Sequence, residues 1–115
     1  MASILVRFTS APYSTSSASD GLDFALAATN YGHHVTVVFE GLAVWMWQAN
    51  QQPPDGVKNM TKRLKSLPLF DIEDCYICQP SLNTYPVTPF SQAFQAADSN
   101  TLITLLKNAD HVVTF

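Results

Sequence analysis

The apolar positions of this chain fall into two patterns, short continuous runs and longer stretches with helical spacing. Residues 3 to 9 and 34 to 39 are short, apolar runs, the second rich in β-branched side chains, which predicts two buried strands. Between them, apolar residues recur at helical spacing from 22 to 29, and Ser19 and Asp20 are suitable caps. The first third of the chain is therefore predicted to fold as strand, helix, strand.

The rest of the chain continues this alternation of strands and helices. The further predicted elements are a helix over residues 57 to 67 ended by Pro68, a strand over 75 to 78, a short helical stretch over 80 to 84 and a weak strand within 90 to 96. The last two are a helix capped by Asp98 or Ser99 and a strand over 111 to 115. In that helix the side chains predicted to face inward are Leu102, Ile103, Leu105 and Leu106. Such alternation is typical of parallel sheets. We therefore predict an α/β fold, a three-layer, doubly wound, mainly parallel sheet of about five strands with helices on both faces, in one domain spanning residues 1 to 115.

Residues 42 to 50 form a short segment whose apolar side chains would point in nearly every direction around a helix. One side of such a helix can pack on the sheet, so the other is expected to meet a partner chain. The predicted interface residues are Leu42, Trp45, Met46 and Trp47. The alternative is that both tryptophans belong to the core of a monomer.

Charge argues against direct nucleic-acid binding, since the formal net charge is −3 and phosphate recognition needs a broad basic surface. Of the six basic residues, Lys58, Lys62, Arg63 and Lys65 lie together in one segment. We interpret this cluster as a solvated helix face.

The amino terminus has no basic lead-in, and Arg7 interrupts its apolar run, so no signal peptide is expected. No stretch approaches the roughly 20 apolar residues that span a bilayer. We therefore expect a cytoplasmic protein without membrane contact, in which two cysteines are free thiols.

The two cysteines, Cys75 and Cys78, have the spacing of a redox motif, but they fall on a predicted strand. Residues three apart on a strand face opposite sides, so the sulfurs diverge and a disulfide between them is not expected. Cys78 lies at the carboxyl end of this strand, just before Pro80, where the start of a helix favours a thiolate. Cys78 is the candidate catalytic residue; the alternative is a buried, unreactive thiol, and Cys75 is assigned to packing.

Other polar groups give weaker indications of chemistry. His33, His34 and His111 are scattered, so no metal site is predicted. Glu40, at the end of the second predicted strand, is interpreted as an ordinary loop carboxylate; the alternative is that it lines a cleft. The loop over residues 10 to 19 has the hydroxyl content of a flavin phosphate loop without its glycine spacing. No cofactor is expected, and a flavodoxin-like small-molecule binder stays an alternative.

Several segments resemble one known family. They read Thr-Ser-Ala-Pro-Tyr at residues 9 to 13, Gly-Leu-Asp at 21 to 23, Leu-Phe-Asp-Ile-Glu-Asp-Cys-Tyr-Ile-Cys at 69 to 78, Ser-Leu at 81 to 82, and Asp-His-Val-Val-Thr-Phe at 110 to 115. Together they are similar to the TusC-type (DsrF-type) branch of the DsrE/DsrF/DsrH family, over essentially the whole chain.

This resemblance implies a subunit of a sulfur-relay complex, a heterohexamer with TusB-like and TusD-like sister subunits, two copies of each. The complex passes persulfide sulfur to a downstream acceptor protein, toward 2-thiolation of the tRNA wobble uridine, and tRNA is involved only indirectly. The essential cysteine belongs to the TusD-like sister, whose motif continues into Arg-Gly where this chain has Gln79 and Pro80. The resemblance thus implies a structural and interface subunit, with direct persulfide transfer through Cys78 as the alternative.

Overall fold

The computed structural model describes residues 2 to 57 and 59 to 115, so Lys58 of the predicted basic cluster lies outside the described residues. The elements in chain order are β1 (Ser3–Phe8), α1 (Ser17–Asn30), β2 (His34–Phe39), a 3₁₀ helix (Gly41–Trp47), α2 (Met60–Ser66), a second 3₁₀ helix (Leu67–Phe70), β3 (Asp74–Cys78), α3 (Gln79–Thr84), β4 (Gln95–Ala97), α4 (Ser99–Asn108) and β5 (His111–Thr114).

The strands form one five-stranded sheet in the order β4-β3-β2-β1-β5. Every strand pair is parallel, and β1 lies between β2 and β5. The first three crossovers move the chain stepwise from β1 to β4, and the crossover through α4 returns it to the other side of β1. The predicted α/β fold with a parallel sheet is confirmed.

The boundaries of three helical elements differ from the prediction. Helix α1 begins at Ser17, ahead of the expected caps Ser19 and Asp20. Helix α2 begins at Met60, because the Asn59 side chain accepts a hydrogen bond from the Thr61 amide at 2.8 Å. Pro68 does not end the helical region but lies in the first turn of the second 3₁₀ helix.

One side of the sheet, which we call the packed face, carries most of the core. The rings of Phe8 and Phe39 stack there with centroids 4.9 Å apart. Side chains of α1 and α2, including Leu22 and Leu64, belong to the same buried cluster. Gly21 of α1 approaches this face closely, because a Cβ at that position would lie 2.5 Å from the ring of Phe8.

The other side, which we call the open face, carries Leu5, Arg7, Val38, Tyr76 and Cys78, as the alternation of side chains along the strands requires. Helix α4 lies on this face. None of its residues is buried, although the sheet residues Leu5 and Val38 are.

The prediction that Ile103 turns inward is wrong, since its side chain is 49% exposed. Leu102 and Leu106, one turn apart, do line a small space together with Leu5 and Val38 of the sheet. On the edge strand β5, Val112 is 41% exposed. One ten-residue helix is too narrow to cover the open face.

The segment predicted as an interface helix folds as the 3₁₀ helix Gly41–Trp47. Met46 and Trp47 are 0% and 2% exposed, so their side chains belong to this chain's core and are not available to a partner. The ring of Trp47 stacks on Phe90 at 5.2 Å and meets the edge of Phe94 at 5.1 Å. The connection between β3 and β4 thus supplies the aromatic partners expected from another subunit.

Leu42 and Trp45 differ from these two buried neighbours. Leu42 is 46% exposed, and Trp45 is partly exposed with its ring 6.3 Å from that of Tyr85. The predicted interface is thereby narrowed to these two side chains, for which a partner contact stays a prediction.

Candidate functional site

The candidate site lies at the carboxyl end of β3, where Cys78 is the last strand residue and the N-cap of α3. Pro80 lies in the first turn of α3, as expected from its fixed φ. Cys78 is 8% exposed, and its side chain makes no capping hydrogen bond to α3. The sequence therefore located the strand end correctly, and the structure adds that little of the thiol reaches the surface.

The two cysteines face opposite sides of the sheet and are both free thiols. Cys75 belongs to the buried cluster of the packed face, together with its neighbour Ile77. Desolvation by burial, and then the negative charge of Asp74, raises the pKa of Cys75 to about 12. Cys75 is thus a protonated packing residue at neutral pH, whereas Cys78 belongs to the open face.

The strand register sets a carboxylate in the row of Cys78 on the adjacent strand. Phe39 pairs with Ile77 in the β2–β3 register, so the next residues, Glu40 and Cys78, lie side by side on the open face. Glu40 continues the sheet, since its backbone is extended and its amide donates to the carbonyl of Phe8 at 2.9 Å. Glu40 is therefore held at the end of β2 by backbone pairing with β1 and is not a free loop carboxylate.

The Glu40 carboxylate is paired with Arg7 of β1. Nε of Arg7 donates to Oε2 of Glu40 at 2.6 Å, and Nη2 donates to Oε1 at 3.3 Å. This bidentate hydrogen bond raises the pKa of Arg7 above its ordinary value, against the opposing effect of partial burial. Sequence analysis missed this pair, although a charged residue inside an apolar central strand was a signal that Arg7 needs a partner.

The turn after β2 is tied to α3 by one further contact. Gly41 has φ of +56°, a conformation that glycine adopts without strain. Its amide donates to Oγ of Ser81 at 2.9 Å. The backbone next to Glu40 is thereby held against the helix that follows Cys78, so both sides of the site are fixed.

The hydroxyl-rich loop before α1 lies elsewhere. Tyr13, Thr15 and Ser16 line a separate cavity of about 450 Å³ whose walls include none of Arg7, Glu40 and Cys78. The Tyr13 hydroxyl accepts a hydrogen bond from the Met60 amide at 3.1 Å, which joins this loop to α2. The loop therefore forms no common site with the thiol.

Metal-binding groups and membrane-spanning helices were the remaining features to place in the part of the chain that the structure describes. Within residues 2 to 57 and 59 to 115, no group of three or more His, Cys, Asp or Glu side chains is placed to hold a metal ion. Over the same residues, no helix is both long enough and apolar enough to cross a membrane.

Known proteins resemble this chain in both sequence and structure. A "Protein TusC homolog" of Vibrio vulnificus (strain CMCP6) is 32% identical over the full length of both chains, and so is "Protein TusC" of Escherichia coli O8 (strain IAI1). Among solved structures, the ychN protein of E. coli superposes with a TM-score of 0.86 at 21% identity, covering both chains completely. That likeness concerns the fold alone. The profile of the DsrE/DsrF-like family matches residues 2 to 115, and the chain belongs to that family.

Proposed function

We propose that this chain is a structural subunit of a cytoplasmic sulfur-relay complex, as its full-length similarity to proteins named TusC suggests. In this proposal it joins TusB-like and TusD-like sisters in a heterohexamer, with the essential cysteine on a sister subunit. The complex delivers persulfide sulfur to an acceptor protein for 2-thiolation of the tRNA wobble uridine, and this chain does not touch tRNA.

The structural observation that carries this proposal is the open face. Parallel sheets occur with both faces covered, yet the helix on this face buries none of its own residues. Ile103 and Val112 leave apolar surface exposed on that side. A partner subunit seated over α4 and β5 would cover this surface, as expected for a permanent complex.

The site at Cys78 supports a structural role over a catalytic one. A persulfide carrier needs a thiol that a second thiol can reach, and Cys78 is almost entirely buried. A nearby free cation would also favour a thiolate, but Arg7 is engaged with Glu40.

The test is assembly with and without the sister subunits. We expect the full chain to co-purify with TusB-like and TusD-like proteins, and native mass spectrometry to give two copies of each subunit. Val112→Asp should weaken association at least about tenfold, because a carboxylate would be desolvated in an apolar contact. A chain that stays monomeric at micromolar concentration when its sisters are present would overturn the proposal.

Matched variants separate the two candidate surfaces. Tyr31→Ser is the control, since it removes an exposed aromatic side chain at the end of α1, away from the open face. Leu42→Ser tests the surface that the sequence predicted. Weakened assembly in Leu42→Ser but not in Val112→Asp would indicate that the interface lies at the 3₁₀ helix Gly41–Trp47 and not on the open face.

A second candidate function is direct persulfide transfer, favoured by the location of Cys78 at the carboxyl end of a parallel strand. The Cys78 thiolate would attack the outer sulfur of a donor persulfide, form a new S–S bond and release the donor as a thiolate. Labelling with radioactive sulfur from a cysteine desulfurase tests this step. Cys78→Ser should lose the label and Cys75→Ser should keep it; label retained in Cys78→Ser would eliminate the idea.

A further inference from the structure

The ion pair between Arg7 and Glu40 lies beside the thiol of the candidate site and is not needed to join elements distant in the fold. Arg7 belongs to β1 and Glu40 directly follows β2, and these two central strands are already paired through their backbones. We propose that Glu40 keeps the Arg7 guanidinium away from Cys78 and thereby holds this thiol in a state of low reactivity. The inference deepens the proposed function, because it treats Cys78 as the thiol of that site.

The register of three strands places the side chains of Arg7, Glu40 and Cys78 relative to one another on the open face. Glu40 and Cys78 are neighbours on adjacent parallel strands, whose spacing is about 4.8 Å. Arg7 lies one strand further, in the row of Val38, and its side chain reaches forward to the Glu40 carboxylate. The guanidinium therefore ends in the same row of the open face as Cys78, with the carboxylate as its hydrogen-bonded partner.

The other charged residues on the elements around Cys78 do not act on this thiol in place of Arg7 and Glu40. On β4, Ala97 pairs with Cys78, and the following Asp98 is exposed with its carboxylate accepting from the Thr101 amide at 2.8 Å. Helix α3 carries no charged residue between Gln79 and Thr84. In α4 the basic residue is Lys107, in the last turn.

The pair is electrically neutral as a unit. Removal of the carboxylate alone leaves an unpaired cation that stabilises a thiolate. Removal of the guanidinium alone leaves an unpaired anion that disfavours it. The two single variants should therefore change thiol reactivity in opposite directions.

The experiment measures alkylation of the full chain by iodoacetamide, purified with its sister subunits if they are needed for solubility. A Cys75→Ala background leaves Cys78 as the only thiol of this chain, and alkylation is measured on this chain. In the reaction the Cys78 proton goes to solvent, an Sγ–C bond forms and iodide leaves. Glu40→Gln should raise the second-order rate about three- to tenfold at pH 7.5, as expected for a unit charge several ångströms away near a protein surface.

Arg7→Gln should lower the same rate about three- to tenfold, and the double variant should return to within about twofold of the parent. Glu73→Gln is the charge-matched control, since it removes an exposed carboxylate next to the amino end of β3. Circular dichroism and thermal melting check that each variant is folded.

Opposite signs for the two single variants support the proposal and distinguish it from loosening of the fold. If both variants raise the rate, loss of the ion pair merely opens the sheet edge, and the proposal is wrong. Rates for Glu40→Gln that match those of Glu73→Gln also overturn it. Subunit assembly is a separate readout, so failure of this inference and failure of the proposed function can be told apart.

Discussion

Replacement of the two tryptophans tests whether the 3₁₀ helix serves the core or an interface. Trp47→Ala removes a side chain that is 2% exposed, and such truncations of large aromatic residues cost about 3–5 kcal/mol. Loss of the stacked Phe90 contact adds to this cost, at about 0.5–1.5 kcal/mol for an aromatic pair. An offset arises because the buried Nε1 of Trp47 has no hydrogen-bond partner among the residues that the structure describes, and removal of such a donor recovers about 1–3 kcal/mol. The net expected loss is about 3 kcal/mol of unfolding free energy.

Trp45→Ala is the matched comparison within the same helix. Its side chain is partly exposed and has Tyr85 as its aromatic neighbour, so we expect a loss of about 1–2 kcal/mol, in proportion to the smaller apolar area. Trp47→Phe keeps the ring contacts and deletes the unpartnered N–H, which should bring stability within about 1.5 kcal/mol of the parent.

The assay is urea unfolding of the full chain at 25 °C, followed by far-ultraviolet circular dichroism so that the signal does not depend on tryptophan. A typical domain has about 5–15 kcal/mol of stability, which leaves room to measure all three variants. The reasoning would be refuted by Trp45→Ala costing as much as Trp47→Ala. It would also fail if Trp47→Ala left the isolated chain stable but abolished assembly.

Two further predictions concern the packed face. Gly21→Ala should lower the unfolding free energy by about 1 kcal/mol, because the clash with the Phe8 ring costs about 2 kcal/mol and the gain in helix propensity is about 1 kcal/mol. Asn30→Ala on an exposed part of α1 is the control, and a stabilised Gly21→Ala would contradict the close packing. Burial raises the pKa of Cys75 from 9.0 to about 12 in the folded chain, so its contribution to stability is present below pH 9 and is lost as the pH rises toward 12. In urea unfolding between pH 8 and 10.5, the unfolding free energy should fall less steeply with pH for Cys75→Ala than for the parent chain. Equal slopes would contradict the burial of this thiol.

Local features of the chain were predictable where short-range physics decides them. β-branched residues placed β2 at His34–Phe39, and the Asp98 carboxylate caps α4 as expected, accepting from Thr101. The twofold period of a strand was also enough to assign Cys75 and Cys78 to opposite faces of the sheet. These predictions needed no information about distant residues.

The site itself depends on contacts between residues far apart in sequence. Arg7 hydrogen-bonds to Glu40, and the parallel register of three strands sets Glu40 in the same row as Cys78. No periodicity within one segment encodes such a register, because it follows from how the crossover helices pack. For that reason Glu40 was interpreted as a loop carboxylate, although it is a fixed neighbour of the thiol.

By itself, the sequence determined the alternation of strands and helices, the family resemblance and the location of Cys78 at a strand end. The tertiary structure decided which apolar side chains are left for partners. Trp47 is buried because Phe90 and Phe94, from the distant connection between β3 and β4, pack against its ring. Ile103 is 49% exposed because no further element in the described part of the chain packs over its side of α4. The hydrophobic pattern predicts that a side chain is buried. Only the tertiary structure determines whether residues of the same chain or of a partner bury it.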